Sequence, residues 1–202
     1  MDRNLIAEYA HLHATARYGA TGSWAVPYLL PHLVALGPRS LIDYGCGQSD
    51  LASRLARKAA IPDIVRYDPA IPELATPPRR KFDVLINVDV LEHVLDSEID
   101  NVVAEMAAMT THAAIIIDTK PAKTLLRDGR NAHVSQHDGA WWQERLSRIL
   151  PGVRPFAVGR PSRVAFKTWD AELPRFHTFW LTTRERVGRG GRRLLSKLGG
   201  GI

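Results

Sequence analysis

Short apolar runs bounded by polar or turn-forming residues alternate with stretches whose apolar positions recur at helical spacing. Leu41-Ile42 before Asp43, Ile64-Val65-Arg66-Tyr67, the run from Phe82 to Val88, and a segment within His112 to Thr119 predict four strands. Leu51, Leu55 and Ala59 predict a helix packed on a sheet, and Ile99, Val102, Val103 and Met106 form one apolar helical face that Ser97 and Asp100 begin as a capping box. Further helices are expected over about 2–17, 24–36 and 139–150, the first two separated by Tyr18-Gly19-Ala20-Thr21-Gly22-Ser23. Val153 to Val158 and Arg163 to Thr168, joined through Gly159-Arg160-Pro161-Ser162, predict a closing antiparallel pair. Strands alternating with helices predict an α/β fold with a doubly wound, mostly parallel sheet and an antiparallel closing strand.

The first candidate chemistry lies where the first strand ends. Leu41-Ile42-Asp43-Tyr44-Gly45-Cys46-Gly47-Gln48-Ser49-Asp50 is an apolar run that passes through an acid into a D-x-G-x-G turn and then a helix. Gly45 and Gly47 let the chain turn sharply and let a ligand meet the main chain. A dinucleotide fingerprint needs a third glycine where Asp50 stands, and a carboxylate at that helix start repels a pyrophosphate. A cationic ligand without phosphates fits better, and S-adenosylmethionine (SAM) carries an ammonium and a sulfonium. The bland alternative is a tight strand-to-helix turn with no ligand.

The second strand ends at Asp68, placed to accept both hydroxyls of a ribose; otherwise it caps a turn before Pro69. The run Phe82-Asp83-Val84-Leu85-Ile86-Asn87-Val88-Asp89-Val90-Leu91-Glu92-His93-Val94 breaks from apolar to polar and then turns helical. Together these motifs resemble the class I SAM-dependent methyltransferases over roughly residues 40–168. The resemblance implies that Asp43 and the backbone of Gly45, Cys46 and Gly47 face the methionine end of SAM, that Asp68 holds the ribose, and that Asn87, Val88 and Asp89 flank the sulfonium. It also implies a third strand after the ribose acid, but only 13 residues separate Asp68 from Phe82, and Pro69, Pro72, Pro77 and Pro78 are among them. Prolines remove amide donors, so the segment reads as a bridging loop with the usual third strand missing; Ile71 and Leu74 are the residues available to cover the adenine.

Composition supports one domain over residues 1–174, with a helical leader over 1–39. The chain has 202 residues, 45% of them hydrophobic, enough for a sizeable core without staples. Cys46 is the lone cysteine and reads as a packing residue; with no disulfide and no apolar leader run, a cytoplasmic setting is expected. No metal-ligand spacing of Cys or His stands out, so no metal is expected. The net charge of +6 resides in residues 175–202, where seven Lys or Arg face one Glu. Arg184, Arg186, Arg189, Arg192, Arg193 and Lys197 read as a solvated basic tail, or as a contact for polyanions. Phe176, Phe179, Trp180 and Leu181 before them read as a docking patch.

The acceptor site is expected on the loop from Lys120 to His137, which leaves the carboxyl end of a central strand. His133 is the first candidate for a general base, with Asp118 and Asp128 behind it. Lys120, Arg130, Asn131 and His137 are candidates for holding the acceptor; a structural turn built on Asp128 and Asn131 is the competing reading. His93 reads as a packed histidine. Two functions follow: a methyltransferase acting on O or N of a small polar metabolite, sugar or glycan, or on a nucleic acid; and a non-catalytic SAM-fold protein whose basic tail engages nucleic acid or a partner.

Overall fold

The computed structural model describes residues 2–16 and 18–198, with side chains through residue 187. A leader helix α1 (Arg3–Thr15) is capped by Asp2, whose carboxylate accepts from Leu5 N, and a short 3₁₀ turn at Gly22–Ala25 feeds α2 (Val26–Leu36). Then come β1 (Ser40–Tyr44), α3 (Leu51–Ala59), β2 (Asp63–Tyr67), β3 (Phe82–Val88), α4 (Ile99–Met109) and β4 (Thr110–Asp118). The remainder is α5 (Gly139–Ser147), the short β5 (Arg154–Pro155), β6 (Arg163–Lys167) and α6 (Arg175–Leu198).

The six strands lie in the order β2-β1-β3-β4-β6-β5. The first four in that order are parallel, whereas β6 runs antiparallel to β4 and β5 antiparallel to β6. The sheet therefore ends at β2. Residues 69–81 contribute a 3₁₀ turn at Pro72–Leu74 and no strand, as the prolines predicted.

Strand alternation sends residues to two cores. Leu41, Val84, Ile86, Ala114 and Ile116 pack under α2 and α3, while Ile42, Leu85, Ile115 and Ile117 pack with α4 and α5. At about 25 cal/mol per Å² of apolar surface, these two layers dominate the stability. A third cluster joins Leu5 and Tyr9 of the leader to Ala70, Leu126 and Ala132, and so fixes α1 beside the carboxyl ends of the strands.

Two expectations need correction. Ser97 does not cap α4: the helix starts after Glu98, which makes no side-chain cap bond there and instead accepts from Asp2 N at 2.7 Å. Arg175–Leu198 is a helix, α6, that packs on α2, so the described part of this segment is not a solvated tail. Glu185 is buried and pairs with Lys58 at 2.5 Å, and Arg186 donates to Tyr28 Oη at 3.0 Å. Phe176, Phe179 and Trp180 stay exposed, and the side chains of Arg189, Arg192, Arg193 and Lys197 lie outside the described residues. Among the described residues no helix is long and apolar enough to cross a membrane.

Candidate active site

The turn after β1 is stitched to the end of β2: Gly45 N and Cys46 N both donate to Tyr67 O, at 2.8 and 3.1 Å. Gly45 and Gly47 have φ of 76° and 51°, the left-handed region. Space excludes side chains there as well. A Cβ on Gly45 would lie 2.6 Å from both Cγ atoms of Val90, and one on Gly47 would lie 2.8 Å from Gly19 O. The loop between α1 and α2 thus presses directly on the glycine turn, and Gln48 Nε2 ties the last turn of α1 to it by donating to His13 O at 2.7 Å.

Two clefts border this turn. The larger, about 580 Å³ with its mouth included, is lined by Asp68, Pro69 and Ala70 and by the aromatic rings of Tyr9, His13, Tyr18 and His93. The smaller, about 350 Å³, is lined by Thr21, Gly22, Asp43, Cys46, Ser49, Val88 and Asp89. Gly19, Gly45 and Asp89 face both.

The acids around the turn sit in different fields. Burial raises the carboxyl of Asp43 to about 7, against the pull of the Arg66 guanidinium and the Ala52 amide. Arg66 is the register partner of Asp43 on β2 and donates to Gly47 O at 2.8 Å. Asp68 is bound from both sides, Oδ2 by Gly47 N at 2.8 Å and Oδ1 by Ala70 N at 2.9 Å. Each oxygen retains a second lone pair. Asp89 has φ 57°, and its carboxylate accepts from Trp24 Nε1 and from Arg163, which also pairs with Asp118 at 3.0 Å. Burial first, and then Asp43, pushes the Cys46 thiol up to about 12, which removes it as a nucleophile at neutral pH.

Not every predicted residue reaches the clefts. Asn87 is fully buried and donates to Tyr44 O at 3.0 Å, outside both linings. Pro69 and Ala70, not Ile71 and Leu74, line the end beside Asp68. In the loop after β4, Asn131 is structural: its Oδ1 accepts from Ala122 N and His133 N, and its Nδ2 donates to Ala122 O. Asp128 and Arg130 pair with each other on the surface, while Lys120 is exposed. His137 pairs with Asp96 and stacks on Trp141 at 3.6 Å between centroids, away from both linings.

His133 lies behind the cleft wall, its Nδ1 bonded to Lys120 O at 2.5 Å and its ring 4.9 Å from that of His93. His93, unlike His133, lines the cleft; burial drives its pKa down to about 4, so it is neutral. Its Nδ1 donates to Ala132 O at 2.7 Å, and Tyr9 Oη donates to the same carbonyl at 2.8 Å. The sequence had no signal for this wall, because Tyr9, His13 and Tyr18 arrive from the leader and are set only by its docking. Arg66 was legible in principle, since aligning β1 with β2 by their carboxyl ends places it opposite Asp43.

Comparison with known proteins resolves the family. Residues 25–186 match the methyltransferase domain family. The chain belongs to that family. It is a class I methyltransferase whose methyl donor is SAM. Comparison with curated proteins finds no match. Among solved structures it is similar to 1,6-didemethyltoxoflavin-N1-methyltransferase of Burkholderia thailandensis with bound S-adenosylhomocysteine, at TM-score 0.61 and 13% identity over 82% of this chain and 88% of that one. It is similar to magnesium protoporphyrin IX methyltransferase of Synechocystis PCC 6803 with bound S-adenosylhomocysteine, at TM-score 0.52 and 17% identity over 72% and 81%. An O-methyltransferase family protein from Burkholderia thailandensis has TM-score 0.52 and 12% identity over 75% of this chain, which spans 59% of that longer one. At these identities the likeness is one of fold.

Proposed function

We propose that SAM lies along the Gly45–Gly47 turn, with its ribose at Asp68 and its methionine end in the smaller cleft at Asp43, and that the methyl group passes to oxygen or nitrogen of a small molecule. The observation that carries this reading is the placement of Asp68 and Asp43 in two clefts on either side of one glycine turn. A buried carboxyl poised near neutrality is completed by a cation, and the SAM ammonium supplies one. Gly19, seated over Gly47, closes the cofactor end. The acceptor then enters among Tyr9, His13, Tyr18 and His93. Aromatic walls with few polar groups suit a ring-sized metabolite or a single sugar. The fold-level neighbours named for a toxoflavin precursor and for magnesium protoporphyrin IX are in keeping with a small acceptor.

Transfer from a sulfonium is an in-line displacement, so holding the acceptor atom close and collinear supplies much of the rate. An amine attacks unaided, whereas an aliphatic hydroxyl must lose its proton. Of the original acceptor candidates, His133 keeps a place beside this cleft through His93; Asp118 is spent on Arg163, and the surface pair of Asp128 and Arg130 takes no part. The test is isothermal titration with SAM, followed by an S-adenosylhomocysteine release assay against phenols, amines, free sugars, oligosaccharides and RNA. Turnover with small acceptors supports the reading. SAM binding with turnover only on RNA overturns the small-acceptor proposal, and binding with no turnover on any class favours a non-catalytic role.

A further inference from the structure

We infer that Glu92, His93 and His133 form a binding site for one divalent transition-metal ion at the inner wall of the larger cleft. One ligand atom from each of the three lies within 4.8 Å of the others. Zinc bound to imidazole nitrogen and carboxylate oxygen holds its ligand atoms roughly 3 to 4 Å apart, so ring rotations and shifts of about 1 Å close the set.

Three further features mark a built site. Glu92 is fully buried; its Oε1 accepts from Asp118 N at 3.0 Å, and its Oε2 has no hydrogen-bond partner. An orphaned, buried carboxylate oxygen is costly, and a cation beside it removes the cost. Each histidine bonds a backbone carbonyl through Nδ1, which puts the ring proton there and leaves the Nε2 lone pair for a metal. That outer arrangement is how metal-binding histidines are oriented. The field is also right: Arg163 is one positive charge between two carboxylates, Asp89 and Asp118, so the neighbourhood stays attractive to a cation.

The sequence hides this site because His133 stands 40 positions after His93, in the loop that Asn131 folds back onto Ala122. Two imidazoles and one carboxylate suit zinc, cobalt, manganese or ferrous iron better than calcium or magnesium, which prefer oxygen. Three protein ligands leave coordination positions open, and His93 borders the acceptor end of the cleft. An acceptor hydroxyl bound to the ion would lose its proton to solvent more easily. That role rests on the function proposed above; the metal site does not.

The full chain, stripped with a chelator and dialysed, is titrated with Co²⁺ and read by its visible absorption, then challenged with Zn²⁺; SAM binding is titrated on the same samples. The expected result is one Co²⁺ per chain, displaced by Zn²⁺. Glu92→Gln and His133→Ala should weaken the ion by at least the roughly 10- to 100-fold that loss of an outer partner alone costs. Both should still bind SAM. No Co²⁺ absorption above that of the free ion in the parent overturns the inference whether or not a variant folds. Parent-like affinity in both variants overturns it too, because the ion then sits elsewhere. Cobalt binding without SAM binding would leave the metal site standing and sink the cofactor placement.

Discussion

Replacing Gly47 by alanine tests the seating of the leader loop on the cofactor turn. Gly37 supplies the control: its φ of 65° resembles the 51° of Gly47, but nothing lies within 4 Å of a Cβ added there. Gly37→Ala should therefore show the left-handed backbone cost alone, roughly 1 to 2 kcal/mol. At Gly47 the new methyl would lie 2.8 Å from Gly19 O and 3.1 Å from Gly19 Cα, both backbone atoms that cannot rotate away. Overpacking of this kind adds about 1 to 3 kcal/mol. At about 2 to 4 °C per kcal/mol for a chain of this size, Gly47→Ala should melt a further 2 to 12 °C below Gly37→Ala. Thermal melts followed by circular dichroism read the difference, and titration with SAM reads its consequence. Gly37→Ala should keep parent affinity, while Gly47→Ala lifts the roof from the cofactor and binds more weakly. Equal melting of the two variants, or parent affinity in Gly47→Ala, would refute the reasoning.

Other outcomes follow from the same geometry. Because the Asp43 carboxyl is raised in the fold to about 7 against an unfolded value near 4, the folded state binds the extra proton, and stability falls as pH rises from about 4 to 7. Asp43→Asn should lose that dependence, so its melting temperature relative to the parent climbs across the interval; a constant offset would refute it. Asn131→Ala removes three hydrogen bonds that fold the loop, at roughly 0.5 to 1.5 kcal/mol each, and proteolysis should cut that loop first. An unaltered digestion pattern would deny it the structural role. Deleting residues 175–202 should lower the melting temperature by uncovering α2, whereas deletion from Gly188 should leave SAM affinity unchanged. Any binding of heparin or RNA should weaken with salt and with the shorter deletion; salt-insensitive binding would place the interface on the body.

Strand and helix order was legible because burial on both sheet faces leaves continuous apolar runs, and because Pro69, Pro72, Pro77 and Pro78 forbid a strand where one was otherwise due. The turn that carries Gly45 and Gly47 was legible for a related reason: a left-handed backbone at the strand end selects glycine, and the acids proposed to hold SAM, Asp43 and Asp68, flank it. The acceptor side was not. His133 and Asn131 looked alike in sequence, yet one turns inward behind His93 while the other folds the loop, a distinction made by contacts with Ala122 and Lys120. The chain after Arg175 misled through its composition, since glycine and arginine suggested solvent while Glu185 pairs with Lys58 of α3 and Arg186 meets Tyr28 of α2.

The most direct test of the account is calorimetric titration of the full chain and of Asp68→Asn with SAM. Asp68 keeps a free lone pair on each oxygen, and its loss as a charged acceptor should cost roughly 1.5 to 3 kcal/mol, about 10- to 150-fold in affinity. One SAM per chain is expected, with that weakening in a variant whose melting shows it folded. Absence of binding to the parent, or parent affinity in a folded Asp68→Asn, would contradict it.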